Sequence, residues 1–271
     1  MLILDTNTWA RQQFSDCQLG DKRRTKRLVY LAEQMVSHPS GSFPEQTETW
    51  GDLKSAYRLL DREEVTFQSV AKAHWEQTRQ RSAGRYLVLG DTTELDFGSQ
   101  RNIPDMAPTG NGGGWGFLLH SGLMVDADSE EIFGLAAQTI HYRKPAPKKE
   151  NTTQRLQRDR ESKVWGEVID AVGEPADDVE LVHVLDRGAD NFEVYCHCLE
   201  QKVDWVVRVT QKQRAILKPG GQRMPLKKYL GKLSVAGSYE LSLRARPDQA
   251  ARTAQLEVCF GALEMPLPAH K

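Results

Sequence analysis

Asp91 follows the run YLVLG and Asp186 follows LVHVL, so each carboxylate stands just past the C-terminal end of a short apolar strand. If those strands are neighbours in one sheet, the two carboxylates meet at its edge. Side by side they repel, and a hard cation such as Mg²⁺ or Mn²⁺ relieves the repulsion while keeping waters of its own. Two such ions about 4 Å apart can activate a water and stabilise a leaving oxygen, the chemistry of phosphodiester cleavage. A plainer role fits the same placement, because Asp after a strand is a common turn former and helix N-cap. The two residues alone leave both readings open.

A second cluster is cationic. DKRRTKR places Lys22, Arg23, Arg24, Lys26 and Arg27 within one stretch, and AYRLL adds Arg58. The planar guanidinium fork suits phosphate oxygens and the edge of guanine. A solvated helix face is the competing account of the same residues. Gly110-Asn111-Gly112-Gly113-Gly114 is no phosphate loop, since no Gly-Lys-Ser/Thr follows it; a flexible loop near the carboxylates is the expectation. Cys196-His197-Cys198 is too tight for the usual zinc spacing, and buried cysteines are expected there. Trp115 suits either a core position or a place near DNA. The seven histidines form no HExxH pairing.

These residues need elements to hold them. The first 81 residues read as helical, with DKRRTKRLVYLAEQMV putting Leu28, Leu31, Ala32, Met35 and Val36 on one face and Asp21 at its cap. DLKSAYRLLD and TFQSVAKAHWEQTRQR supply two more helices, and three short helices with tight connections predict a small bundle of helix-turn-helix kind. From residue 82 the pattern turns to strands: RYLVLGD, GFLLHSGLMVD and EIFGLAAQTIHY. After the polar, basic KPAPKKENTTQRLQRD come helix SKVWGEVIDAV, strand VELVHVLD, helix ADNFEVYCHCLEQK and strand DWVVRVT. The order β-β-β-α-β-α-β predicts an α/β fold with a mixed sheet covered by helices. From 211 to 271 the chain is rich in Lys, Gly and Pro, with two further strands, SYELSLRAR and AQLEVCFGAL.

Composition narrows the classes. The 271 residues carry 36 Lys and Arg against 37 Asp and Glu, a net charge of −1, so any DNA contact must come from local clusters. Near-normal apolar content excludes general disorder. No apolar run approaches the length of a membrane span, and the N-terminus lacks the pattern of a signal peptide. Four scattered cysteines, Cys17, Cys196, Cys198 and Cys259, fit a reducing cytoplasm.

Six strings taken together add a further inference: LGDKRRTKRL, AYRLL, Asp91-Thr92-Thr93, GGWGFLLHSGLMV, Asp186-Arg187-Gly188-Ala189-Asp190 and DWVVRV. In this order the chain closely resembles the bacterial cut-and-paste DDE transposases of the IS-four type, over nearly its whole length. The resemblance implies a helical DNA-binding domain at 1–81, a ribonuclease H-like core at 82–210 and part of a β-rich insertion at 211–271. It makes Asp91 and Asp186 two catalytic, metal-binding carboxylates for Mg²⁺ or Mn²⁺. It makes Arg23, Arg24, Arg27 and Arg58 contacts to the transposon end, and Arg208 a contact near the cleavage point. The implied partners are double-stranded DNA, as terminal repeats and target, and a second copy of the chain; the implied location is the cytoplasm, on the nucleoid. The family's third carboxylate, a Glu in a Tyr-x-x-Arg-x-x-x-Glu string, has no counterpart here, and Glu257 and Glu264 do not match it. The C-terminal pairing helices are likewise unmatched, so the resemblance implies a truncated transposase. A truncated, catalytically inactive DNA-binding remnant, or an inhibitor of transposition, is the alternative.

Overall fold

The computed structural model describes residues 5–98, 103–110, 113–144, 147, 149–151, 154, 158 and 160–266. The loop residues Asn111 and Gly112 lie outside that set, as does most of the basic stretch after Tyr142. The chain divides into two compact units, the first ending at Val207 and the second beginning at Arg208.

The first unit begins with four helices: α1 (Thr6–Phe14), α2 (Lys22–Ser37), α3 (Trp50–Leu60) and α4 (Phe67–Arg79). Each start is capped by a side-chain oxygen accepting a backbone N–H: Asp5 from Thr8, Asp21 from Arg23, Thr49 from Asp52 and Thr66 from Ser69. Leu28 of α2 and Leu59 of α3 close over Cys17 and Leu19, with Phe14, Val65, Val70 and Ala73 packed around them. Met35 and Val36, expected inward on α2, instead stay about two-fifths exposed.

The helices are fastened to the sheet that follows. Arg79 donates to the Ala136 carbonyl at 2.8 Å, and His74 Nε2 accepts from the Leu135 N–H at 3.0 Å. That sheet holds β1 (Gly84–Asp96), β2 (Ala107–Thr109), β3 (Gly114–Asp126), β4 (Ile132–His141), β5 (Val179–Leu185) and β6 (Asp204–Val207). Its order is β2-β3-β1-β5-β6, with β4 also paired to β3. The β1–β3 and β3–β4 pairs are antiparallel, whereas β1–β5 and β5–β6 are parallel. Parallel neighbours need a crossover, and α5 (Val164–Val172) and α6 (Phe192–Glu200) stand at the two places in the chain where one is required. Val164, Trp165, Val168, Ile169 and Val172 of α5 are buried against Tyr86, Val88 and Met124 of the sheet, forming the main core.

The second unit is lighter. Strands β7 (Ala215–Leu217) and β8 (Arg223–Pro225) form a hairpin followed by the short helix α7 (Leu226–Leu230). Ile216, Met224 and Leu226 pack with Tyr229 and Leu263 into its small core. A second hairpin, β9 (Gly237–Leu243) and β10 (Arg252–Val258), matches the two strands expected there.

Candidate active site and nucleic-acid interface

Asp91 and Asp186 come together as the sheet requires. The last β1–β5 pair is Gly90 with Leu185, so the aspartates are the next residues of two adjacent parallel strands, which lie about 5 Å apart. One detail differs from expectation. Asp91 lies within β1, not past its end, because β1 continues to Asp96 on its other partner, β3. The Leu185 side chain and the Trp165 ring fill the space where a Cβ at Gly90 would stand, which puts both on one face of the sheet. By strand alternation Asp91 turns to the other face.

Both carboxylates are exposed, but they differ in commitment. Asp186 caps the 3-10 turn Arg187–Ala189, its Oδ1 accepting the Gly188 N–H at 2.6 Å. The turn-forming role is therefore real for Asp186, and it leaves the second oxygen available. Asp91 has no hydrogen bond or ion pair among the described residues, so its carboxylate is open to a ligand. Two hard carboxylate oxygens suit Mg²⁺ or Mn²⁺ in kind. Among the described residues no third His, Cys, Asp or Glu joins them in a metal-binding cluster.

Beneath the strand ends sits a residue that the motif reading passed over. His120 of β3 lies opposite Thr92, is 1% exposed, and pairs through Nδ1 with the Thr92 hydroxyl. Its ring stands edge-on to Trp165, with centroids 3.9 Å apart. Burial pulls its pKa down to about 4, against the opposing pull of Asp91, Asp186 and Glu161, so the ring is neutral at physiological pH. Strand alternation carried the signal, because His120 falls in phase with buried Leu118 and Met124. Arg143 then ties Glu94 of β1 to Glu161, at 3.4 and 3.0 Å.

The glycines of GGWGF have a tight packing role. A methyl group at Gly116 would overlap the Leu95 carbonyl oxygen on β1, and one at Gly114 would strike Asp96 and Thr109. Trp115 between them is partly exposed, 37%. Cys198 is buried and Cys196 half-buried, and burial raises the Cys198 thiol to about 12.

The structure sorts the cationic residues of the N-terminal helices into two kinds. Arg24 donates to the Leu19 carbonyl at 2.9 Å and pairs with Glu64 at 2.7 Å, closing the α1–α2 loop onto the start of α4. Arg27 pairs with Asp52 at 2.8 Å, joining α2 to α3, and lies over the Tyr30 ring. Arg23 and Arg58 are exposed, and neither side chain has a partner among the described residues. Arg208 is exposed and opens the second unit directly after β6.

Residues 6–65 match the transposase DNA-binding family, a span that takes in α1, α2, α3 and the loop before α4. Among solved structures, the chain is similar to the piggyBac transposase in a synaptic complex with hairpin DNA, with 9% identity and a TM-score of 0.45. That alignment covers 94% of this chain and 61% of the piggyBac chain, so the present sequence spans about three-fifths of that protein's length.

Proposed function

We propose that this chain is a transposase that binds duplex DNA through its N-terminal helices, and that it is of the cut-and-paste DDE kind, IS-four type. The observation that carries the reading is the match of residues 6–65 to transposase DNA-binding domains, in a chain whose adjacent parallel strands bring Asp91 and Asp186 side by side. The strand order, with β4-β3-β1 antiparallel and β1-β5-β6 parallel, supports a ribonuclease H-like core. Its substrates would be the terminal repeats of its own element and a target duplex, engaged by two copies of the chain on the bacterial nucleoid.

Asp91 and Asp186 are the residues that would hold Mg²⁺ or Mn²⁺, leaving most positions on the ion to water. When bound, such an ion supplies an activated water and stabilises the leaving oxygen of a phosphodiester. The chain's own residues do the positioning. Gly188 fixes the Asp186 carboxylate, while neutral His120 and Trp165 pack beneath the strand ends without adding charge. Arg23, Arg24, Arg27, Arg58 and Arg208 are the positions assigned to DNA, with Arg23 and Arg58 exposed and uncommitted.

A second reading, binding without cutting, is favoured by one observation: among the described residues the two aspartates have no third partner. A looser cage misplaces the reacting groups, and displacement by about 1 Å costs on the order of a hundredfold in rate. The experiment is a cleavage assay on a labelled transposon end with Mg²⁺ or Mn²⁺, run beside a binding assay on the same duplex. Nicking that disappears in Asp91→Ala supports the catalytic reading. Specific binding with no nicking supports the remnant, and no binding at all overturns both.

A further inference from the structure

A cleft of about 1060 Å³ lies between α1 and α2. Three cations line it: Arg11 from α1, and Lys22 and Lys26 from α2. All three are exposed, and none has a side-chain partner among the described residues. Two carboxylates also line the cleft, so its cations outnumber its anions by three to two, and each carboxylate is oriented by a neutral N–H donor. Asp21 accepts the Arg23 N–H at 2.7 Å, and Glu33 accepts the Asn7 side-chain amide at 2.7 Å. Lys22 and Lys26 are one turn apart, about 6 Å along the helix axis, so they stack as neighbours on one face. Arg23, the residue after Lys22, does not line the cleft.

This pattern differs from that of Arg24 and Arg27, whose guanidinium groups are spent on the Leu19 carbonyl, Glu64 and Asp52. Lysine ammonium groups are mobile point charges, suited to phosphate without base readout. We infer that the α1–α2 cleft seats the sugar–phosphate backbone of duplex DNA, with Arg11, Lys22 and Lys26 as sequence-independent phosphate contacts. The inference rests on the DNA-binding reading above and names a surface that the Arg23, Arg24, Arg27 and Arg58 assignments do not include.

The test measures affinity of the full chain for a fluorescein-labelled random-sequence duplex of about thirty base pairs over a series of KCl concentrations. Removing one cation that touches a phosphate lowers the slope of log affinity against log salt by about 1. The variant R11Q/K22Q/K26Q is expected to show a slope smaller by about 3 and to bind at least about tenfold more weakly at low salt. Its circular dichroism and thermal midpoint should match wild type, since none of these three side chains has a partner among the described residues. The charge-keeping variant K22R/K26R should retain the wild-type slope. If the triple variant does not fold, K22Q/K26Q alone should reduce the slope by about 2. Wild-type binding with an unchanged slope in a folded variant overturns the cleft assignment while leaving DNA binding intact. Absence of salt-dependent binding by the wild-type chain overturns the DNA-binding reading itself.

Discussion

At Asp186 one oxygen is held by the Gly188 amide, while at Asp91 the carboxylate has no hydrogen bond or ion pair among the described residues. Substituting either by Asn keeps size and shape, so we expect Asp91→Asn to leave duplex affinity within about twofold and to remove any Mg²⁺-dependent nicking. Persistence of nicking in that variant would exclude Asp91 as a ligand. The arginines separate in the same way. Arg24→Ala removes the hydrogen bond to the Leu19 carbonyl and the half-exposed Glu64 pair, and should cost roughly 1–2 kcal/mol in a urea unfolding curve. Arg23→Ala removes no such bond and should leave the urea midpoint in place while weakening DNA binding. A stability loss as large in Arg23→Ala as in Arg24→Ala would contradict this division.

Among the elements, the strands were legible where a short apolar run was bounded by turn residues, as at RYLVLG and VELVHVL. The meeting of Asp91 and Asp186 followed from that pattern, and the parallel β1–β5 register brings them together. What the pattern hid was the length of β1. Gly90-Asp91 reads as a turn, yet β3 carries the strand six residues further to Asp96. Helix α1 was unread because TNTWARQQF has few apolar residues to mark a face, and it contributes Arg11 to the cleft. Close approach between β1 and β3 was equally invisible, since it depends on a carbonyl oxygen facing Gly116 across the sheet. We expect Gly116→Ala to destabilise the chain by roughly 2 kcal/mol or more, because a methyl group there must displace backbone. Thermal unfolding of that variant at wild-type temperature would refute the point.

For the molecule as a whole, two buried histidines set a limit on acid stability. His120 and His183 are 1% and 0% exposed, and burial holds each pKa down to about 4 from an ordinary 6.5. Neither ring nitrogen of His183 has a partner among the described residues, so its ring is neutral in the fold. Above the unfolded value both states are neutral and stability is level. As pH falls from about 6.5 towards 4, only the unfolded chain takes up protons, and stability drops by roughly 3 kcal/mol per ring when the change is complete. Urea midpoints should therefore decline between pH 7 and pH 5, and His183→Asn, which cannot titrate, should flatten part of that decline. A midpoint constant to pH 5 would disprove it.

The handover within β1 has a consequence for how the backbone exchanges with solvent. Up to Gly90 the strand is bonded on both edges, to β3 and β5; from Asp91 to Asp96 only β3 remains as its partner among the described residues of the first unit. Amides 86 to 90 should thus hold their hydrogens against deuterium for close to the lifetime of the global fold. Beyond Gly90 the protection should alternate, with every second amide facing the vacated side and exchanging far faster. The carboxylate pair stands on that boundary, where a strand bonded along both edges gives way to one bonded along a single edge among the described residues.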